Sequence, residues 1–318
     1  MGRRAGAGWP RPRGTALAPP PRVTRATRAK GRPASRPPRS TARAALRARP
    51  RRGRQPPRPG VRRPRAEGAL RVGTSGYQYA DWRGVFYPKD LPLRGWLPYY
   101  ADRFDTVEIN RSFYQVPSAE VFDAWRRAVP RGFRFALKFS RFGTHRKKLL
   151  QPEDTLAYFF ERADALGPQL GPVLVHLPPN WRPDPGRLDA FLAAAPRGRR
   201  LAVEVRDPRW LSEEVYAVLR RRRAALCLHD AIPGHPRELT ADFVYVRFHG
   251  HKDGRRYGAR ELARWARWLA QRCGEGLDAW VYFNNDWHGY AVEDAATLRR
   301  HAARAGAAPA APGLQEAS

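Results

Sequence analysis

Methionine and cysteine are almost missing from this 318-residue sequence: Met1 is the only methionine, and Cys227 and Cys273 are the only cysteines. Two distant thiols with no metal spacing exclude a disulfide scaffold and a cysteine-rich metal centre. Cys227 lies inside an apolar run and reads as a core residue. No stretch approaches the ~20 consecutive apolar residues of a membrane helix. The N-terminus has no apolar h-region of the kind a secretory signal needs. The expectation is a cytoplasmic protein in a reducing setting, with no membrane partner. A dinucleotide fingerprint is also missing, because Gly73-Thr-Ser-Gly76 is too short to be G-x-G-x-x-G.

Acidic residues are scarce as well, at 29 Asp+Glu against 60 Lys+Arg, which gives a net charge of +31. The imbalance is concentrated. Residues 1–67 hold 21 of the Lys and Arg, 13 of the 31 prolines and a single acid, Glu67. Their few apolar residues, such as Val23, Leu46 and Val61, follow no helical or strand period, so they cannot bury enough surface to offset ordering entropy. The segment is expected to be disordered. Three readings stay open: a basic arm contacting nucleic-acid phosphates, an Arg-rich targeting segment, or a reading frame called too far upstream in a GC-rich gene. A second disordered tail is expected over 305–318.

Between these ends, apolar runs alternate with helical patterns. Strands are expected at 70–74, 105–109, 133–139, 172–177, 200–205, 224–229, 243–248 and 279–284. Helices are expected at 95–103, 118–128, 153–166, 184–195, 212–222, 258–272 and 289–304. Asp184 before Pro185 reads as an N-cap, as do Ser118 and Ser212. Leu262, Trp265, Ala266 and Leu269 fall at i, i+3, i+4, i+7 and predict one buried stripe. Eight strands with intervening helices over about 250 residues fit a TIM-like (β/α)8 barrel spanning 68–304. A doubly wound open sheet is the rival.

Most of the strands end on charged or polar residues, as in TVEIN, FALKF, AVEVRD, LCLHD, YVRFHG and VYFNND. In a parallel barrel that end carries the active site. Strand alternation groups Glu108 with Asn110, Glu204 with Arg206, Arg247 with His249, and Asn284 with Asp286. A charge facing the helices would be buried without a partner, so these faces are expected to point to the barrel axis. Glu108, Glu204 and His249 are the candidate acid/base residues. Lys138, Arg206 and Arg247 are the candidate anion holders, with Asn110, Asn284 and Asn285 orienting. The bland alternative for the two Glu residues is a buried ion-pair network that fixes barrel register. A divalent metal held by Glu108, Glu204, Asp230 and His249 is a third reading; His249-Gly-His251 is too weakly spaced to decide it. His145, next to Lys147 and Lys148, reads as a basic surface loop. Tyr77, Trp82 and Tyr114 could wall a pocket, although aromatics more often mean core.

The strings VGTSGYQYADWRGVFYP, FDTVEINRSFYQVP, FRFALKFSR, LGPVLVHLPPNW, LAVEVRDPRW, ADFVYVRFHG and VYFNND resemble the YecE-like barrel family, a domain of unknown function, over residues 71–302. The resemblance implies a TIM-like barrel and brings no activity or cofactor. It implies that Gly73, Ser75, Gly76, Trp82, Glu108, Asn110, Phe113, Tyr114, Lys138, Glu204, Arg206, Arg247, His249, Gly250, Asn284 and Asn285 belong to the family pattern. That pattern has Gln where His176 stands and Asn where Asp294 stands, and His229 is atypical, so His176 and His229 are set aside. The functional expectation is an enzyme acting on a small anionic substrate, a phosphate ester or a carboxylate. The alternatives are a metal-dependent hydrolase or isomerase, and a nucleic-acid-binding protein.

Overall fold

Eight parallel strands are hydrogen-bonded in the order β1-β8-β7-β6-β5-β4-β3-β2 in the computed structural model, which describes residues 67–250 and 255–307. The predicted disordered segment 1–67 (Glu67 apart), His251 and residues 308–318 of the predicted tail lie outside the described residues. The strands are Leu70–Thr74 (β1), Thr106–Ile109 (β2), Arg134–Lys138 (β3), Leu170–His176 (β4), Leu201–Glu204 (β5), Ala225–His229 (β6), Phe243–Phe248 (β7) and Asp278–Phe283 (β8). The helices are Trp96–Ala101 (α1), Arg111–Tyr114 (α2), Ala119–Arg127 (α3), Pro152–Ala163 (α4), Pro185–Ala194 (α5), Glu213–Arg222 (α6), Ala259–Gly274 (α7) and Tyr290–Arg304 (α8). The expected (β/α)8 barrel is therefore the fold, and the open-sheet rival falls.

The barrel closes between β1 and β2 on a single bridge, Ser75 to Glu108, supported by the Gly76 amide donating to the Glu108 carbonyl. Gly73 makes the approach possible, since a Cβ there would lie 2.1 Å from the Thr106 carbonyl oxygen. The Tyr100 hydroxyl fills the gap, receiving the Thr74 amide and donating to the Thr106 carbonyl.

Strand alternation sorts the side chains. Val107, Leu137, Val175, Val203, Leu226, Val246 and Val281 face outward and join the helices in one buried apolar layer. Burying each such aliphatic contributes roughly 1.5–3 kcal/mol. The α7 stripe behaves as its spacing predicts: Leu262, Ala266 and Leu269 are buried, and Trp265 packs against them. A separate cluster fills the axis: Ala136, Leu174, Ala202, Ala225, Cys227, Phe243, Tyr245, Trp280 and Tyr282. Cys227 is a core residue, as expected.

Local details depart from expectation. Asp184 caps α5 by accepting the Arg187 amide, whereas Ser118 and Ser212 occupy N-cap positions without a side-chain cap bond. The connection after β2, expected as a loop, holds the short helix α2, and residues 142–146 form one wide turn of π-helix. Among the described residues, no helix is long and apolar enough to cross a membrane.

Candidate active site at the barrel mouth

Two residues further along each strand than the apolar axis cluster, the inward positions turn polar. Ser75, Glu108, Lys138, His176, Glu204, His229, Arg247 and Asn284 follow β1 to β8 at or just past their C-terminal ends. The sequence places them there because strand alternation with period two keeps them in line with the apolar residues below.

Arg247 is the centre of this layer. Its side chain is 2% exposed and ion-paired to both Glu108 (2.8 Å) and Glu204 (2.6 Å). Asn284 Oδ1 accepts from Nη2 at 3.2 Å, and Ser75 Oγ lies 3.4 Å from the same nitrogen. The Tyr245 hydroxyl donates to the other Glu108 oxygen at 2.6 Å. Burial opposes the Arg247 charge, but Glu108 and Glu204 outweigh it and hold the guanidinium well above its ordinary value. Arg247 was expected to hold an anion. It is instead neutralised by two carboxylates, so the bland ion-pair reading describes Glu108 and Arg247. Asn284 orients Arg247.

The two oxygens of Glu204 are held differently. Oε2 receives Arg247, but Oε1 is buried with no hydrogen bond. Arg206 Nε approaches Oε1 at 2.6 Å, His249 Nε2 at 3.3 Å and His176 Nε2 at 3.8 Å, as charge contacts without hydrogen-bond alignment. Burial pushes this carboxyl up, yet Arg247, His176 and His249 together bring it well below the carboxylate range. Glu204 is therefore an ionised acceptor.

His176, set aside from the family pattern, belongs to the site. Arg206 Nε donates to its Nε2 at 3.1 Å, so the network assigns the proton to Nδ1, which is buried without a partner. Burial drives its pKa down to about 2, further lowered by Lys138 and Arg206, against the pull of Glu204. His176 is thus a neutral donor. His145 is also at the mouth: the π-helical turn sets its ring 5.1 Å from Phe113 and 5.4 Å from His176. The basic-surface expectation for it is corrected. The same loop carries left-handed Lys148, Leu149 and Gln151, a concentration of backbone strain beside the site. His229 is structural, with Nε2 bonded to the Val205 carbonyl and Nδ1 receiving the Ala231 amide.

Lys138 is 9% exposed. Among the described residues no hydrogen bond or ion pair ends on its Nζ, whose ring contact is Phe113 at 4.5 Å. Burial first, and Arg247 second, lower its pKa to about 8. Its backbone is held firmly, because Ser112 Oγ donates to its carbonyl at 2.8 Å.

The remaining candidates separate. Asn110 Nδ2 donates to the Ser75 carbonyl at the barrel seam, leaving Oδ1 buried and unpaired. Asn285 is not at the mouth: 2% exposed, it donates to Asp294 on α8 at 2.8 Å and to the Arg255 carbonyl. Trp82 is fully buried among Tyr79, Phe86 and Tyr87, and Tyr77 is 5% exposed against Tyr100, so neither offers a stacking face. Tyr114 is 76% exposed and does. Phe142 and Trp287, which the sequence reading missed, are exposed in the loops after β3 and β8. Asp230 is committed to the His249 amide and the Tyr257 hydroxyl.

The proposed metal quartet therefore does not assemble. Among the described residues no group of three or more His, Cys, Asp or Glu could hold a metal ion. A guanidinium already stands between the two carboxylates. A cavity of about 870 Å³ lies along α8, lined by Leu70, Phe86, Phe104, Val292, Ala296 and Arg299.

A closed parallel barrel with charged residues at the strand C-termini is the class that fold and site define. Within that class, residues 71–316 match the family described as Protein of unknown function DUF72, and the chain belongs to it. It is 32% identical to the UPF0759 protein YecE of Escherichia coli K12 over 115 residues, which cover 36% of this chain and 42% of the relative. The match thus spans under half of that relative's length. It is 25% identical to the UPF0759 protein YunF of Bacillus subtilis over 260 residues, 70% of this chain and 91% of that one. Among solved structures, a DUF72 family protein of Thermotoga maritima superposes with TM-score 0.62 at 27% identity, over 73% of this chain and 98% of the other. One from Enterococcus faecalis gives TM-score 0.62 at 20% identity, over 74% and 95%, a likeness of fold alone.

Proposed function

We propose that the protein is an enzyme that acts on a small anionic substrate at the barrel mouth. The carrying observation is the surplus positive charge at the mouth, where Arg247, Arg206 and Lys138 face only Glu108 and Glu204. Lys138 has no ion-pair partner among the described residues, and Arg206 is the more exposed cation beside it, its side chain 26% exposed. Buried His176 Nδ1 lies unpaired in the same layer, and Glu204 Oε1 has charge contacts without an aligned hydrogen bond. Leaving such a nitrogen unpaired costs roughly 1–3 kcal/mol, which a stability role does not explain. A bound anion would meet Arg206 and Lys138, with Glu204 as proton acceptor and His176 as hydrogen-bond donor. Among the described residues, nothing gathers a metal there, and the reading needs none.

The test is calorimetric titration of the full chain with lactate and, separately, inorganic phosphate. Binding of either is expected, and Arg206→Gln is expected to weaken it about tenfold, or ~1.4 kcal/mol. No binding of either, or binding that Arg206→Gln leaves unchanged, overturns the reading.

A further inference from the structure

Lysine is rare in this chain. Six of its sixty Lys and Arg residues are lysines, and Lys138 is the one that ends an inner face of the barrel. An arginine there would supply charge but could never lose its proton. Three features set Lys138 apart from an ordinary charge carrier. Its Nζ has no hydrogen bond or ion pair among the described residues, that nitrogen lies 4.5 Å from the centre of the Phe113 ring, and its backbone is fixed by Ser112. A desolvated amine of that kind is a nucleophile toward carbonyl carbon.

Resting on the anion site above, we propose that Lys138 forms a protonated imine with a small aldehyde or 2-oxo acid carrying a carboxylate or phosphate group. The neutral amine attacks the carbonyl carbon, and the carbonyl π pair moves to oxygen. Glu204 Oε1 takes the proton from nitrogen and returns it to that oxygen, giving a carbinolamine. The hydroxyl then leaves with one further proton as water while the nitrogen lone pair forms the C=N bond. Counted from the ammonium form, one lysine and one carbonyl give one protonated imine and one water, with no net proton change. His176 Nδ1–H is the donor for the developing oxyanion, and Arg206 meets the anionic substituent. Burial aids the first step by bringing the lysine pKa to about 8, so that a usable share of amine is neutral near physiological pH.

The experiment incubates the full chain with pyruvate or glycolaldehyde phosphate in the presence of cyanoborohydride, followed by intact mass and peptide mapping. The expected result is one secondary-amine adduct, located on Lys138 and suppressed by excess lactate or inorganic phosphate. Lys138→Arg is expected to lose the adduct, with its folded state checked by thermal unfolding; Lys138→Met is the second variant if Lys138→Arg unfolds. Wild-type protein that binds lactate but gives no adduct, or an adduct spread evenly over the exposed lysines, overturns the imine while the anion site stands. Wild-type protein that binds neither lactate nor phosphate overturns both.

Discussion

Two layers of the barrel interior differ by two residues along the same strands. The lower layer, with Ala136, Leu174, Ala202, Tyr245, Trp280 and Tyr282, is apolar packing with its hydroxyls bonded, as Tyr282 is to Thr106 at 2.8 Å, and with one neutral donor, Trp280 Nε1, left unpaired. The upper layer, with Glu108, Lys138, His176, Glu204 and Arg247, is nearly as buried yet charged, and it leaves polar atoms without hydrogen bonds. Backbone geometry and parity are the same in both. The difference shows that neither depth nor an unmet hydrogen bond alone makes a site; unmet capacity beside charged groups does. It also shows that charges in one layer divide into those that satisfy each other and those that do not.

Four substitutions would sharpen or break that comparison. Arg247→Met should do most damage, because it leaves Glu108 and Glu204 buried without a cation; we expect at least ~3–5 kcal/mol lost in urea denaturation. A loss under ~1 kcal/mol would mean that the charged layer carries no structural weight. Lys138→Met should act in the opposite direction. The lysine pKa falls from 10.5 unfolded to about 8 folded. Below pH 8 its buried charge is a full penalty, and the penalty is relieved as pH rises from 8 to 10.5. The variant should therefore gain up to about 3 kcal/mol at pH 7, and the gain should vanish above pH 10.5. Stability profiles of variant and wild type that run parallel across that window would refute this. Tyr282→Phe in the lower layer should cost about 1 kcal/mol, the ordinary value of one buried hydrogen bond. Arg206→Gln should change stability least, by under ~1 kcal/mol, since its side chain is partly exposed. A larger loss would move Arg206 into the structural set.

Most of the barrel is legible in the sequence. Two of the eight expected strands, 70–74 and 243–248, have the observed bounds, and the other six differ by one or two residues at their ends. Apolar runs of four to seven residues, punctuated by helical periods, leave little choice. Alternation also placed Glu108, Glu204 and Arg247 on the axis. It could not say that they meet, because that depends on stagger around the closed ring, a property of all eight strands together. The pairing of Arg247 with both carboxylates was not visible in the sequence for that reason. Trp82 misled in another way: its loop folds back onto the barrel and its indole donates to the Asp286 carbonyl. His176 and His145 were discounted because one departs from the family pattern and the other sits among basic residues. Only the π-helical turn shows that they share a wall.

Seven joins of the barrel are paired ladders, and the eighth, between β1 and β2, rests on one bridge and the Tyr100 hydroxyl. Mechanically this is a split ring. Its bore widens with the fewest broken bonds by parting at that slit, and the amides of Thr74 and Gly76, which are bonded across it, should exchange with solvent before those of the other joins. Because Ser75 and Glu108 form the two lips and both touch Arg247, any change of bore is transmitted at once to the charge at the barrel's centre.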